Sequence, residues 1–245
     1  EAAGYQVERE FYVNDAGNQV HRSGLSIEAR YLQHFEPGFP FPEDGYKGKD
    51  VTANAEAFIE EHGDEYVDRP SEERRQALIS FAIPRNIQGL HDDLKRYRVE
   101  YDTWFHESGL HESGAVDRVV ELMREKGLTY EKEGATWFRG SDFGSEDFVL
   151  LRSNGVPTYV VPDIAYHYNK LVTRGYDRAI NVLGADHHGY VFRLKATLKA
   201  LGLDPERLQV VLMQMVRLVR EGQVVKASKR SGKAITLATL LEEVP

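Results

Sequence analysis

The sequence predicts an α/β protein with a doubly wound parallel sheet, interrupted by an inserted and mostly helical connective subdomain. Two short apolar runs, residues 179–184 and 209–213, have the length and composition of strands buried in a parallel sheet. Between them, apolar residues recur at helical spacing over residues 191–201, and strands that alternate with helices favour parallel pairing. A charged, helical stretch from about residue 52 to 137 separates these runs from a strand candidate at residues 5–13.

The composition favours a cytoplasmic protein with a core of its own and excludes several classes of function. Of the 245 residues, 41% are hydrophobic, and no apolar run is long enough to cross a membrane. No cysteine is present, which excludes disulfides and thiolate catalysis. The net charge of −8 argues against general coating of nucleic acid, but it leaves room for a local basic track and suits a cationic substrate.

The connective stretch is predicted from helix signals and two short strands. Ser71 opens a helix candidate in which Pro84 predicts a kink, and Ser113 is the predicted N-cap of a later helix. After that helix, residues 136–138 and 148–151 indicate strands of a small sheet.

A polar cluster follows a strand candidate in the last third of the chain. The sheet is predicted to resume with residues 159–161 and to continue with residues 179–184, which lead directly into Asp-His-His at 186–188. A helix then runs to Gly202, a residue placed to end it. Polar residues at the carboxyl end of a strand lie where open α/β sheets bind ligands. Because no third ligand stands at matching spacing, a polar lip for a nucleotide or amino acid is favoured over a metal site.

The most informative motif lies near the C-terminus, where residues 226–230 read Lys-Ala-Ser-Lys-Arg. Lysine ammonium groups on flexible stems suit a loop that must follow a polyphosphate whose charge shifts during a reaction. A solvated basic turn would contain the same residues, so the motif gains weight only from its context. The loop resembles the KMSKS loop of class I aminoacyl-tRNA synthetases, with Ala227 in place of the usual methionine.

Four further segments, in order along the chain, resemble arginyl-tRNA synthetases. They are residues 1–19, the Tyr-x-x-x-Asp-Ile-Ala-Tyr-His pattern within 155–167, the strand end and polar cluster at 183–190, and Gln-Met-Val at 214–216. Ordered matches that cover almost the whole chain are far more specific than one short motif.

The resemblance implies a fold, a reaction and partners. Residues 1–48 would form part of the catalytic nucleotide-binding fold, residues 49–148 the connective insertion, and residues 149–245 the remainder of the catalytic fold. The parent enzyme would join arginine to ATP, with Mg²⁺ as the companion ion of ATP, and pass the arginyl group to tRNA(Arg). We expect a cytoplasmic monomer without membrane contact.

The resemblance also implies roles for the basic loop. Lys229 would contact the phosphates of the nucleotide, while Lys226 and Ser228 would shape the loop. Attack of the amino acid carboxylate on the α-phosphate needs charge stabilisation and alignment more than a protein nucleophile. The absence of a Gly-x-Ser-x-Gly sequence agrees with this requirement.

Substrate binding is assigned by the same resemblance. Tyr159, Asp163 and His187 would bind arginine, since a carboxylate is the natural acceptor for a guanidinium. Asp186 and Gln214 would lie on the nucleotide side. The residues alone leave other readings open: Asp163 could cap a helix, Tyr159 could be a core aromatic, and Gln214 could simply end a strand.

The departures from the family pattern are also informative. The turn with Asn14, Asp15 and Gln19 matches the family, but Asn-Asp-Ala-Gly is good turn chemistry in any protein, so we expect it to be supporting structure. The His-x-Gly-His element of the family does not occur in the sequence, and we expect the anticodon-binding domain of the family to be missing as well. We therefore expect an internal fragment that does not charge tRNA by itself. Another adenylate-forming nucleotidyltransferase and a non-catalytic tRNA-binding piece remain alternatives.

Overall fold

The structure, a computed structural model, describes residues 1–214, 216–220, 222–224 and 235–243. The strands in these residues are β1 (Glu10–Val13), β2 (Thr103–His106), β3 (Thr129–Lys132), β4 (Ala135–Phe138), β5 (Phe148–Leu151), β6 (Ala179–Gly184), β7 (Leu208–Met213), β8 (Val219–Arg220) and β9 (Gln223–Val224). The helices are α1 (Asn18–Phe35), α2 (Lys49–His62), α3 (Ser71–Arg96), α4 (Glu107–Glu112), α5 (Ala115–Glu125), α6 (Val160–Tyr168), α7 (His188–Ala200) and α8 (Leu237–Glu243).

The chain divides into two units, which are described separately. The first unit comprises Glu1–His106 and Leu218–Pro245, and the second comprises Glu107–Arg217. These divisions at residues 106 and 217 differ from the domain boundaries predicted at residues 48 and 148. The assignment of those three ranges to catalytic fold and connective insertion remains a prediction. None of the described helices is long and apolar enough to cross a membrane.

Three helices and a pair of parallel strands make up most of the first unit. Helices α1, α2 and α3 pack around Tyr31, Phe58 and Leu78, which are almost fully buried. Helix α3 is continuous from Ser71 to Arg96, so Pro84 lies inside the helix and does not end it. Strands β1 and β2 are parallel, with Val13 opposite His106.

The N-terminal strands correct two sequence predictions. The strand candidate at residues 5–13 is a strand only over Glu10–Val13. Its partner β2 lies inside the stretch that was predicted to be mostly helical. Thr103, Trp104 and Phe105 have high strand propensity, but a run of four residues is too short to stand out from its helical surroundings.

The second unit contains an antiparallel sheet and a parallel strand pair. Strands β4 and β5 are the two strands predicted at residues 136–138 and 148–151, and β3, which was not predicted, completes their antiparallel sheet. Strands β6 and β7 are parallel from the pair Ala179–Leu208 to the pair Gly184–Met213. The predicted helix after β6 is α7, and Gly202 follows it with φ 86°, as expected for a glycine that ends a helix.

The run at residues 159–161 begins helix α6 and is not a strand, contrary to the sequence prediction. Pro162 is tolerated there because the first N–H groups of a helix have no partner within the helix. Val161 and Ile164 are fully buried on the inner face of this helix. Ser113 is also not an N-cap: helix α5 starts after Gly114, whose φ is 68°.

Candidate active site

The carboxyl ends of β6 and β7 define one edge of the second unit. Because Gly184 lies opposite Met213, the segments that follow the two strands leave the pair at the same edge. A short 3₁₀ turn, Ala185–His187, follows β6, and the exposed Gln214 follows β7. The side chains of Asp186 and His187 are 78% and 50% exposed. Asp186, His187 and Gln214 therefore lie at the edge where the polar lip was predicted, and ligand binding there stays a prediction.

Gly184 allows the Asp186 side chain to fold back towards the strand. A Cβ atom at position 184 would lie 2.5 Å from Oδ1 of Asp186. The glycine therefore leaves space for this carboxylate, and Nε2 of His187 lies 3.9 Å from the other carboxylate oxygen of Asp186.

Asp163 lies in the first turn of α6 but does not cap the helix. The N-cap position is Tyr159, and no side-chain hydrogen bond caps this terminus. Instead, the Tyr190 hydroxyl of α7 donates a 2.5 Å hydrogen bond to Oδ2 of Asp163. The alternative in which Asp163 merely caps a helix is therefore wrong, since its carboxylate takes part in a contact between two helices.

The surroundings of Asp163 act on its charge in opposite directions. Burial raises the pKa of the Asp163 carboxyl above its usual value, and the nearby Glu107 carboxylate raises it further. The hydrogen bond from Tyr190 and the nearby side chains of Lys170 and His187 lower this pKa, but burial prevails. A partly buried carboxylate with a raised pKa in a polar site is a candidate for ligand binding.

Tyr190 connects this carboxylate to two further aromatic side chains. Tyr159 is 68% exposed, so the alternative that it is a core aromatic is wrong. Its ring lies 5.7 Å from the ring of Tyr190, with 35° between the ring planes. The imidazole of His187 lies 6.4 Å from the same ring at 74°. The structure thus brings together the predicted arginine-binding residues Tyr159, Asp163 and His187 around Tyr190.

Sequence reasoning missed the hydrogen-bond network behind Asp163. His167, one turn further along α6, donates from Nδ1 to the carbonyl oxygen of Asp163 at 2.7 Å. Nε2 of His167 accepts a 2.7 Å hydrogen bond from the amide of Asn181 on β6. The ammonium of Lys170 donates to Oδ1 of Asn181 at 3.3 Å and lies 4.0 Å from the centre of the Tyr166 ring. In the sequence, these residues were visible only as Tyr166 and His167 at the end of the family pattern, which does not indicate a hydrogen-bond network.

His167 is held as a neutral imidazole. Burial lowers its pKa from about 6.5 to about 4, and the charge of Lys170 acts in the same direction. The protonated Nδ1 faces a carbonyl and the bare Nε2 faces an amide donor, so both ring nitrogens are satisfied in the neutral form. His167 therefore joins α6 to β6 and is not exposed to solvent as a proton carrier.

The predicted turn of the first unit lies at the carboxyl ends of β1 and β2. Asp15 follows β1, and its Oδ2 atom lies 2.7 Å from Nδ1 of His106, the last residue of β2. Asn14 belongs to the same turn, and Gln19 lies at the start of α1. The pair of Asp15 with His106 stabilises the turn, as expected for supporting structure. Sequence reasoning missed His106 because β2 was not recognised.

Lys226, Ser228 and Lys229 lie outside the described residues, so their roles remain a prediction. In the described residues on either side, β8 and β9 form an antiparallel pair that ends at Val224, and α8 begins at Leu237. No group of three or more His, Asp or Glu residues that could hold a metal ion occurs within the described ranges.

Comparison with known proteins identifies the class of protein that has this fold and these residues at the carboxyl ends of β6 and β7. The family described as "tRNA synthetases class I (R), catalytic domain" matches residues 1–244. The chain therefore belongs to the arginyl family of class I tRNA synthetases.

Curated relatives narrow the comparison to one kind of ligase. An arginine–tRNA ligase from Caldanaerobacter subterraneus is 58% identical over 243 residues, which cover 99% of this chain and 43% of the relative. An arginine–tRNA ligase from Ruminiclostridium cellulolyticum is 51% identical over 247 residues, which cover 100% of this chain and 44% of the relative. The chain thus spans less than half the length of these relatives.

Solved structures agree on the fold. A structure described as an arginyl-tRNA synthetase from Campylobacter jejuni matches with a TM-score of 0.88 and 33% identity, over 98% of this chain and 52% of that chain. The arginyl-tRNA synthetase of Thermus thermophilus matches with a TM-score of 0.70 at 21% identity, over 98% of this chain and 46% of that chain. The predicted doubly wound class I fold is therefore confirmed.

Proposed function

We propose that this chain is part of the catalytic region of an arginine–tRNA ligase. The observation that carries the proposal is the partly buried Asp163 carboxylate, which is held by Tyr190, whose ring in turn contacts the exposed Tyr159 and His187. A carboxylate in such a setting suits a guanidinium, because charge-assisted hydrogen bonds are strongest where water is partly removed. The family and the curated relatives support the same reading.

In the proposed reaction, a carboxylate oxygen of arginine attacks the α-phosphorus of ATP. The bond to pyrophosphate breaks, and arginyl-adenylate forms. A hydroxyl of the terminal ribose of tRNA(Arg) then attacks the arginyl carbonyl carbon, AMP leaves, and the hydroxyl proton is released. Both steps depend mainly on alignment and on stabilisation of charge, which positioned side chains can supply.

The proposed division of roles follows the two ends of the substrate. Asp163 and Tyr159 hold the guanidinium, with His187 at the lip. Asp186 and Gln214, at the carboxyl edge of β6 and β7, face the nucleotide. Membership of class I implies the use of ATP, and Mg²⁺ would enter with its phosphates.

Lys229 would contact the phosphates of ATP in the proposed reaction, while Lys226 and Ser228 would shape the loop. A monomeric state and a cytoplasmic location stay predictions. The partner tRNA(Arg) belongs to the proposed activity of the whole protein.

Exchange of labelled pyrophosphate into ATP by the full-length protein tests the proposal. We expect exchange that depends on arginine and not on lysine or glutamine. Arginine shares its length and charge with lysine, but only its planar guanidinium presents several donors to one carboxylate. Exchange driven by another amino acid, or exchange without any amino acid, would point to a different nucleotidyltransferase of the same class.

A further inference from the structure

Tyr190 links the three residues of the second unit to which arginine binding is assigned, and this group of residues is called the pocket below. It lies in the first turn of α7, which follows the polar lip directly, and its hydroxyl reaches Asp163 on α6. Its ring also lies within 6.4 Å of the rings of Tyr159 and His187. One side chain therefore contacts each of the three residues to which arginine binding is assigned.

We propose that Tyr190 is a positioning residue: its hydroxyl holds Oδ2 of Asp163 so that the carboxylate is presented to the guanidinium in one orientation. This inference rests on the proposed function, since it concerns how Asp163 performs its role. Within the described residues, Oδ1 of Asp163 forms no hydrogen bond. The side chain is thus fixed through one oxygen, and the other remains available to a ligand.

The backbone of Asp163 is fixed independently of Tyr190. Its carbonyl oxygen accepts the hydrogen bond from His167, which is in turn held by Asn181 on β6. The remaining freedom of Asp163 is rotation of its own side chain, and the hydroxyl of Tyr190 removes this freedom. Preorganisation of this kind strengthens binding because less conformational entropy is lost when the ligand arrives.

Several titratable groups surround Asp163 besides Tyr190. From the elements packed against α6, those that act on this carboxylate are Glu107 on α4, Lys170 after α6, and His187 before α7. Helix α5 presents the apolar side chains of Val116, Val119, Val120 and Met123, which are buried, while its charged residues are exposed.

A hydrogen bond that favours the ionised form opposes the effect of burial on this carboxylate. Without the hydroxyl of Tyr190, the pKa of Asp163 should rise further. The neutral form of Asp163 would then persist to higher pH, and arginine would lose its charged partner.

The test compares Tyr190→Phe with the unchanged full-length protein. The substitution keeps the ring against Tyr159 and removes only the hydroxyl. We expect the KM for arginine in pyrophosphate exchange to rise about tenfold at neutral pH, the scale of one hydrogen bond to a charged group, with a smaller change in kcat. The acidic limb of kcat/KM for arginine should also move to higher pH. A merely structural role would not shift this pH profile.

Tyr130→Phe is the matched control. Tyr130 donates a 2.9 Å hydrogen bond to Oδ2 of Asp147 in the same unit, but this pair belongs to the sheet of β3 and β4 and not to the pocket. The control substitution therefore removes the same chemical contact elsewhere. It should leave both the KM for arginine and the pH profile unchanged.

The variant Asp163→Asn distinguishes failure of this inference from failure of the proposed function. If Asp163→Asn leaves the KM for arginine unchanged, the assignment of the pocket is wrong and the role of Tyr190 fails with it. If Asp163→Asn raises the KM but Tyr190→Phe changes neither KM nor pH profile, only the positioning role is overturned.

In the Asp163→Asn background, Tyr190→Phe should add less than it does alone, because both changes act through the same carboxylate. Full additivity, or a higher KM with an unmoved pH profile, would also contradict the positioning role.

Discussion

The side-chain amide of Asn181 donates a 2.7 Å hydrogen bond to Nε2 of His167, and this contact joins strand β6 to helix α6 directly behind Asp163. His167 in turn donates a hydrogen bond to the carbonyl oxygen of Asp163, so the Asp163 backbone is also held in place. Hydrogen bonds therefore join strand β6, which leads to the polar lip, to helix α6, which carries the Asp163 carboxylate. The stability of this connection should depend on the protonation state of His167.

Acid should weaken the fold through His167. Its pKa is about 4 in the folded protein, below the value of about 6.5 that applies when the chain is unfolded. Between these two values the unfolded chain binds a proton that the folded chain does not, so stability falls as pH falls through this window. The maximum loss is about 3 kcal/mol. Thermal melting of the full-length protein and of His167→Gln across this window checks the sign.

His167→Gln should be less stable than the unchanged protein at neutral pH, but it should lose less stability on acidification. Equal acid sensitivity of both proteins would show that other groups account for it.

Asp163→Asn should separate binding from stability. Because an amide oxygen can still accept the hydrogen bond from Tyr190, the substitution should change the melting temperature little. Arginine affinity should weaken by about 1.5–3 kcal/mol, the scale for a hydrogen bond to a charged group. Arginine titration and thermal melting of the full-length protein measure the two effects. Asp147→Asn, outside the pocket, is the control for the loss of one carboxylate charge.

Lys229→Ala should slow adenylate formation by about 10²–10³-fold, the range for losing one preorganised charge contact in a transition state. Arg230→Ala, one position further along the loop, should cost much less. Single-turnover measurement of adenylate formation distinguishes the two. A larger effect of Arg230 would mean that the loop is assigned in the wrong register.

Glu28→Ala should destabilise the first unit. The Glu28 side chain is only 7% exposed and pairs with Arg74 at 3.0 Å and with Arg75 at 3.2 Å. Removing it leaves Arg74 largely buried without its counter-charge, which costs about 3 kcal/mol or more. Glu73→Ala removes a pair with Arg69 in which both side chains are half exposed, and should cost less than about 1 kcal/mol. Chemical denaturation compares the two variants.

The parts of the fold that the sequence predicted correctly are those with a local signal. Strand β6, helix α7 and the glycine that follows it show the apolar run, helical spacing and stop residue expected of each. Residues 159–161 carried only three apolar positions, which suit a strand and a buried helix equally well. Neighbouring Pro162 could not decide between them, since proline is also compatible with a first helical turn.

In the candidate site, the sequence predicted only those residues that belong to the family pattern. Tyr159 and Asp163 lie in one segment of the pattern and His187 in another, and the structure brings all three together around Tyr190. Tyr190 was not recognised because its contact with Asp163 depends on how α6 and α7 approach each other, and no spacing in the sequence reports that geometry. The same holds for the pair of Asp15 with His106, which depends on the pairing of β1 with β2.

The charges around Asp163 have a consequence for how the pocket responds to salt. Asp163 when ionised and Glu107 are negative, and Lys170 is positive, so this inner group carries a net charge of one negative. A guanidinium carries one positive charge, and the occupied pocket is then electrically neutral. Because opposite charges that meet away from bulk water are screened little by mobile ions, arginine affinity should vary only weakly with ionic strength. Binding of the polyanionic tRNA, in contrast, should weaken steeply as salt is added.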